Sequence, residues 1–227
     1  MTSGGNLPEL AAEAPKDCAL CPRLVSFRAA NRTAEPSWFN GAVPSFGREH
    51  ADAVRLLIVG LAPGLRGANR TGRPFTGDYA GELLYQTLLE FGFAKGRYEA
   101  RPDDGLTLVN CMISNAVRCV PPENKPLPAE IAACRPFLSE RIASLPELAA
   151  IVALGRIAHD STLTALGAKK SAHPFKHGAG HPMRDGLMLF DSFHCSRYNT
   201  NTGRLTPDMF RAVFAQVKQH LQGLPAR

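Results

Sequence analysis

A glycine-rich stretch behind a short apolar run constrains the fold of this chain more than any other part of the sequence. Residues 56–81 read LLIVGLAPGLRGANRTGRPFTGDYAG, and Leu56 to Val59 are apolar enough to form a buried strand. A helical pattern resumes at Ala80 and runs to Phe91. In open α/β sheets a loop between strand and helix lies where ligands bind. An ordinary surface loop is the alternative, but a functionless loop of this length is uncommon in a compact domain.

Three further apolar runs alternate with helical patterns along the chain. The runs span 106–113, 149–154 and 187–190, and helices are predicted over 80–91, 129–142, 156–166 and 209–221. This alternation predicts an α/β fold, a single doubly wound domain with a central, mostly parallel four-stranded sheet flanked by helices. We expect the domain over residues 17–227, with residues 1–16 as a flexible N-terminal tail.

Composition narrows the class of protein and the class of partner. Of the 227 residues, 44% are hydrophobic and 20% are charged, which is typical of a globular protein rather than a disordered one. The net charge of +6 suits a polyanionic partner such as a nucleic acid. No apolar run approaches the roughly 18 residues of a membrane span, and the first residues do not resemble a signal peptide. We therefore expect a cytoplasmic protein without a membrane partner.

Four of the six cysteines are spaced as a candidate metal site. Cys18 and Cys21 form a CxxC pair, and 14 residues separate Cys119 from Cys134. Disulfides are a poor explanation in a reducing compartment. Four thiolates around one metal centre would tie the N-terminal segment to the domain. Zinc and a [4Fe–4S] cluster both accept four cysteines, so spacing alone does not choose between them, and scattered buried cysteines remain the simpler alternative.

A polar loop, HCSRYNTNTGRLTP, follows the fourth predicted strand. A neutral imidazole at His194 could donate to a carbonyl or to a developing oxyanion, although a lone histidine is more often a satisfied polar group. Arg197 could reach phosphates, and Tyr198 could stack against bases or simply pack on the loop. Loops after the strands at Leu61, Ser114 and Phe193 gather at one edge of a parallel sheet, and this edge is the predicted site.

Three motifs and the cysteine spacing together resemble a known family. The motifs are GLAPGLRGANRTGRPFTGDYAG at 60–81, SNAVRCVPPEN at 114–124 and SFHCSRYNTNTGRLTP at 192–207. The chain resembles the iron–sulfur uracil-DNA glycosylases over roughly residues 17–220, and most closely the family 5, or type b, branch. The resemblance implies a [4Fe–4S] cluster with a mainly structural role, held by Cys18, Cys21, Cys119 and Cys134.

The resemblance also implies roles for individual residues around a base flipped out of DNA. Phe75 matches the residue that stacks on the base, Asn115 the amide that reads its edge, and His194 the group that stabilises negative charge on the leaving base. Other branches carry an acidic residue where this chain has Leu61 and Ala62. The set expected to bind the substrate is Gly60, Ala62, Gly64, Phe75 and Asn115, and the set expected to contact DNA is Arg70, Arg73, Ser196, Arg197, Tyr198 and Asn199.

Asp78 is the remaining carboxylate in the first loop, so it is the candidate for orienting or deprotonating the attacking water. Its alternative role is to cap the helix that begins near Ala80. Asn69 is a weaker candidate for positioning the water or the sugar. Cys195 stands where the family usually has proline, which predicts a more mobile loop and a reactive thiol.

The implied function is that of a monofunctional DNA glycosylase. It would remove uracil, with other deaminated bases such as hypoxanthine left open, and leave an abasic site for base excision repair. The expected partner is double-stranded DNA containing uracil, with single-stranded DNA left open, and the protein is expected to be a monomer that associates with the nucleoid when bound. The alternatives are a protein that binds or traps uracil-DNA with weak turnover, and a non-catalytic iron–sulfur module that binds nucleic acid.

Overall fold

The computed structural model describes residues 12–224, in which strands and helices alternate around one central sheet. The helices and strands are α1 (Pro22–Ala34), β1 (Leu56–Gly60), α2 (Ala68–Thr71), α3 (Tyr79–Phe91), β2 (Ala94–Lys95), β3 (Thr107–Leu108), β4 (Cys111–Asn115), α4 (Pro128–Ala143), β5 (Ala150–Leu154), α5 (Arg156–Ala165), β6 (Gly180–Pro182), β7 (Met188–Ser192), α6 (Arg197–Asn201) and α7 (Pro207–Gln222). The α/β class and the mostly parallel sheet are confirmed.

The central sheet has five strands in the order β4-β1-β5-β7-β6. The first four are parallel, and β6 pairs antiparallel with β7 at the edge. The prediction of four strands is therefore wrong by one edge strand. Its three residues, Gly180, His181 and Pro182, are too few and too polar to produce a periodic hydrophobic pattern, and proline is tolerated in a strand only at such an edge.

Helices cover the sheet on both faces, and the residues of β1 alternate between the two layers. Leu56 and Ile58 pack with the side of the core that contains α3 and α7. Leu57 and Val59 pack with the side that contains α4 and α5. All five residues of β1 are buried, as expected for a parallel strand covered on both faces. This double burial explains why the sequence shows an unbroken apolar run.

The second apolar run, 106–113, forms two strands instead of one. β3 pairs antiparallel with β2, and the chain then turns at Asn110, whose φ is 48°. Asparagine tolerates this left-handed conformation better than most residues. β4 follows and continues to Asn115, two residues beyond the predicted run, which carries Asn115 to the carboxyl edge of the sheet.

The last part of the predicted N-terminal tail is packed on the domain. The Glu13 carboxylate lies 3.0 Å from Arg118 and 2.7 Å from Arg141, and the Lys16 carbonyl accepts from the amide of Ala42. Residues 12–16 are therefore not a loose tail, and residues 1–11 of that prediction lie outside the described residues. Within residues 12–224, no helix has the length and apolar character to cross a bilayer.

Candidate functional site

A cavity of about 990 Å³ opens at the carboxyl edge of the sheet, where the three polar loops were predicted to meet. It is lined by predicted site residues from all three loops: Ala62, Gly64, Phe75, Asp78, Asn115, His194, Ser196 and Arg197. The junction between β5 and α5 also lines it, with Leu154 at the end of β5, Gly155 in the turn, and Arg156 and Ile157 at the start of α5. This fourth segment was not among the predicted site loops, although β5 is parallel to its neighbours and ends at the same edge.

The ring of Phe75 lies over Gly60, and the geometry allows no larger residue there. A Cβ atom at Gly60 would lie 2.6 Å from Cζ of Phe75 and would also clash with the amide oxygen of Asn115. Phe75 has a φ of 52°, and its carbonyl accepts a hydrogen bond from the Tyr98 hydroxyl. Gly60 thus lies behind Phe75 and Asn115 instead of lining the cavity. Its predicted contact with the substrate is corrected to a supporting role.

Asn115 brings an unsatisfied polar atom to the cavity. It is the last residue of β4 and only 3% exposed. Its Oδ1 atom is buried and has no hydrogen-bond partner among residues 12–224. Such an atom costs about 1–3 kcal/mol, so a buried amide without a partner at the wall of a cavity indicates that a ligand supplies the partner.

His194 presents a neutral imidazole to the same cavity. Its ring stacks on Phe75 with the centroids 5.8 Å apart and the planes 28° apart. Burial lowers the pKa of His194 to about 4, so the ring is uncharged at neutral pH. The backbone carbonyl of His194 accepts from Nδ2 of Asn199, at 2.8 Å. A neutral ring with one N–H can donate to negative charge that develops on a bound group.

Asp78 caps a helix and also faces the cavity, so its position is compatible with both of the roles that the sequence left open. Its side chain caps α3 by accepting from the amide of Gly81, at 3.3 Å, and its carboxylate also lines the cavity. A Cβ atom at Gly64 would lie 2.9 Å from its Oδ2, so glycine lets the first loop approach the carboxylate. Burial raises the pKa of Asp78 against the opposing effect of the backbone amides of Gly81 and Ala80.

Two residues predicted in the site are structural instead. Asn69 is fully buried, and its Nδ2 donates to Asn40 at 2.9 Å. Arg73 is buried and pairs with the Asp104 carboxylate at 2.7 Å, beneath the ring of Phe46. Neither side chain lines the cavity. Asn69 is therefore corrected from a catalytic candidate to a support of its loop, and Arg73 is not a surface contact for DNA.

The remaining residues expected to contact DNA divide between exposed groups and loop supports. Arg197 lines the cavity mouth and lies over the ring of Tyr79, and Tyr198 beside it is 72% exposed. Arg70 is also exposed, with Nε bonded to the carbonyl of Arg66. Ser196 and Asn199 have a supporting role, because the Ser196 side chain caps α6 by accepting from the backbone amide of Asn199. They fix the loop that carries Arg197 and Tyr198.

Cys195 is fully buried next to His194. Burial raises the pKa of its thiol, and the nearby charge of Asp78 raises it further. A protonated thiol without access to solvent is unreactive. The prediction of a reactive thiol at this position is therefore wrong, and the residue fills space in the core where proline would restrict the backbone.

The four cysteines of the predicted metal site line one small cavity, whose other walls are mainly apolar. Nη1 of the buried Arg28 donates to Sγ of Cys119 at 3.1 Å, and the amide of Arg118 donates to Sγ of Cys134 at 3.2 Å. Four cysteines around one cavity, with N–H donors to two of their sulfurs and a buried cation beside them, suit an anionic, thiolate-bound metal centre. The residues present therefore fit such a group.

Comparison with known proteins gives consistent matches over nearly the whole chain. The family model described as the uracil DNA glycosylase superfamily matches residues 46–218. The type-5 uracil-DNA glycosylase of Thermus thermophilus is 47% identical over 213 residues, which are 91% of this chain and 94% of that protein. The type-5 enzyme of Mycobacterium tuberculosis is 41% identical over 89% of this chain and 77% of that protein. The type-5 enzyme of Pyrobaculum aerophilum is 38% identical over 87% of this chain and 86% of that protein.

Proposed function

The chain belongs to the uracil DNA glycosylase superfamily, and from this premise we propose that it is a type-5 uracil-DNA glycosylase. It hydrolyses the bond between uracil and deoxyribose in DNA and leaves an abasic site for base excision repair. Relatives that match this chain over 86–94% of their own length carry this name at 38–47% identity. A module that only binds or traps nucleic acid is not favoured.

The observation that carries this proposal is the meeting of Phe75, Asn115 and His194 at one cavity. A base flipped out of the duplex needs a flat apolar surface and polar groups for its edge. The Phe75 ring supplies the surface. The unpartnered Oδ1 of Asn115 accepts from N3–H of uracil, and the amide nitrogen of the same side chain donates to O4. A thymine or cytosine edge would differ from this pattern in its methyl group or its donors.

The chemistry follows from the charges at the site. Breaking the glycosidic bond leaves the electron pair on the uracil anion and a cationic sugar, so groups that stabilise the anion have the largest effect. The neutral imidazole of His194 donates to uracil O2 as the charge develops. Asp78 orients the attacking water and accepts one of its protons, and the water oxygen forms the new bond to the sugar carbon.

A cleavage assay on a labelled duplex with a single uracil tests the proposal. After alkaline treatment, we expect a strand break at the uracil and none in a matched duplex with thymine. The same assay on single-stranded DNA with uracil decides whether the protein also acts on single strands. The assay on a duplex with hypoxanthine decides whether it also removes that base. The absence of abasic product from the uracil duplex would reject the proposed activity.

Tyr198 is expected to contribute stacking energy to DNA binding because its ring is largely exposed beside the cavity mouth. Changing Tyr198 to Ala is expected to weaken binding of uracil-containing DNA by roughly 5- to 150-fold, the equivalent of about 1–3 kcal/mol for one stacked base. The matched variant Tyr198→Phe keeps the ring and should bind like the natural protein. Fluorescence anisotropy measures both, and equal affinity of the Ala variant would contradict the stacking role.

We also propose that Cys18, Cys21, Cys119 and Cys134 hold a [4Fe–4S] cluster. Cys18 and Cys21 precede α1, Cys119 follows β4, and Cys134 lies on α4. When bound, the group would supply a covalent link between the N-terminal segment and the domain. Arg28 would partly neutralise its negative charge, because its guanidinium already donates to Cys119.

Changing Cys134 to Ser is expected to remove the iron and to destabilise the fold, because metal binding contributes folding free energy. Anaerobically purified natural protein should contain about four iron atoms per chain, and the variant should lose most of them together with several degrees of melting temperature. Cys111→Ala is the matched control, since Cys111 is buried in β4 away from the cavity. Stoichiometric zinc without iron would contradict the proposed cluster.

A further inference from the structure

The network around Asp191, behind the cavity, contains a proton that its hydrogen bonds require. Nδ1 of His159 lies 2.6 Å from Oδ1 of Asp191, and Nε2 lies 2.8 Å from the carbonyl of His173. A carbonyl only accepts, so Nε2 carries a hydrogen. A carboxylate also only accepts, so Nδ1 carries one as well, unless the carboxyl group itself holds that proton. In either case the pair has one proton more than a neutral histidine beside an ionised aspartate.

The surroundings of the pair keep this proton in place. His159 and Asp191 are 1% and 0% exposed, and buried charges are stable only when paired. Burial acts to lower the pKa of His159, but the hydrogen bond and charge of Asp191 outweigh it and raise the pKa. The titratable groups that face His159 are Asp191 on β7, His181 on β6, Asp160 on α5, and His173 in the loop between α5 and β6. The Asp160 carboxylate lies 3.8 Å from the Lys170 amine.

One carboxylate of this network joins three parts of the chain. Oδ1 of Asp191 binds α5 through His159, and Oδ2 accepts from His181 on β6 at 2.9 Å. Oδ2 also accepts from the backbone amide of Lys176 at 3.1 Å. His159 holds the same segment a second time through the His173 carbonyl. The protonated pair thus holds the backbone of the 173–177 segment at His173 and at Lys176, the residue before His177.

The 173–177 segment in turn contacts the residue before His194. Nδ1 of His177 accepts from the backbone amide of Phe193 at 3.0 Å, and the two rings stack with centroids 4.9 Å apart and planes 13° apart. The acceptor role requires a neutral His177, and burial lowers the pKa of that residue accordingly. A shift of residues 173–177 would therefore move the backbone that enters His194.

We propose that the His159–Asp191 pair is a proton-dependent brace that positions His194 through the 173–177 segment and His177. His159 touches neither the cavity nor its contents, so it is a positioning residue for the reaction and not a catalytic one. The proposal rests on the proposed glycosylase function. It predicts that loss of the brace proton, at alkaline pH, releases the segment and lowers turnover without changing DNA affinity.

A double-mutant cycle on the cluster-loaded protein tests the brace. Displacement of a catalytic group by a fraction of an ångström to 1 Å lowers rates by up to roughly 100-fold, so we expect His159→Gln to lower kcat by about 10- to 100-fold with KM nearly unchanged. In a His194→Ala background the same change should cost less than about threefold, because the displaced group is already absent. A full additional loss in that background would overturn the proposal.

A pair of variants at His177 keeps the test valid if His159→Gln does not fold. His177→Ala removes the acceptor for the Phe193 amide and should lower kcat about tenfold. His177→Asn places an amide oxygen where Nδ1 lies and should restore most of the loss. If both variants lose the same activity, the hydrogen bond to Phe193 does not position His194 and the proposal fails.

The proton is also measurable without any activity. Histidine-selective nitrogen NMR should show both ring nitrogens of His159 protonated at pH 7, because the pKa of the ring is raised by the hydrogen bond and the charge of Asp191. In activity measurements the alkaline loss of kcat should vanish in His159→Gln. A neutral His159 ring beside an ionised Asp191 carboxylate at pH 7, or stoichiometric zinc that is lost in His159→Gln, would overturn the brace. Failure of the natural protein to cleave uracil-DNA would instead reject the proposed function and leave the NMR result intact.

Discussion

Changing Asp78 to Asn is expected to lower the rate of uracil excision by about 10²- to 10⁴-fold, the usual contribution of a general base. The variant keeps the shape of the side chain and loses its ability to accept a proton. Its amide oxygen still accepts from the amide of Gly81, so α3 keeps its cap. Single-turnover cleavage and anisotropy on the same uracil duplex should show a collapsed rate with unchanged affinity.

The control variant separates the role of Asp78 as the N-cap of α3 from its role as a general base. Asp78→Ala loses both functions and should be less stable than Asp78→Asn by about 1 kcal/mol, while the two variants should be equally slow. Chemical denaturation measures the stability of the two variants, and the cleavage assay measures their rates of uracil excision. If Asp78→Asn cleaves within threefold of the natural protein, Asp78 is only a helix cap and the water is activated by another group.

The pH dependence of turnover should reflect the raised pKa of Asp78. A general base acts in its ionised form, so activity is full above the pKa and falls as the pH decreases through it. Burial places this fall at a higher pH than for an ordinary aspartate. The pKa of His194 is about 4, so His194 remains neutral over most of the same range. The acid limb of kcat should be absent in the residual activity of Asp78→Asn, and its persistence would assign the limb to another group.

The parts of the fold that were predicted correctly are those whose signal is local. β1 and β5 are buried on both faces, so each appears in the sequence as an unbroken apolar run. β6 has one buried residue out of three and depends on pairing with β7, which no local pattern records. The break between β3 and β4 depends on the conformation of Asn110, and an asparagine within an apolar run does not by itself indicate a turn.

The candidate site shows the same division between local and distant information. Phe75 and Asp78 were found because they lie in one short motif that the resemblance covers. Arg73 was misassigned because its partner, Asp104, lies 31 residues further along the chain. In the sequence, Arg73 is a cationic residue in a glycine-rich loop, and this pattern suits a contact with a DNA phosphate as well as it suits an ion pair within the protein. The role of Cys195 likewise depends on the packing around it, because the thiol that was predicted to be reactive is fully buried.

Changing His194 to Ala is expected to lower the rate of uracil excision by about 10²- to 10³-fold, the usual loss when one donor to a developing anion is removed. Because burial keeps the natural ring neutral, its contribution comes from one N–H dipole and not from a positive charge. A neutral amide can therefore replace the ring in part, so His194→Asn should lose less activity than His194→Ala.

Both variants should bind a uracil duplex with affinity close to the natural protein, since the interaction strengthens only as the bond breaks. Single-turnover rates of the natural protein and of both variants at several pH values distinguish a neutral donor from a protonated ring. If the excision rate instead required a protonated ring, activity would rise towards pH 4 and His194→Asn would be as slow as His194→Ala, and the neutral-donor mechanism would be wrong.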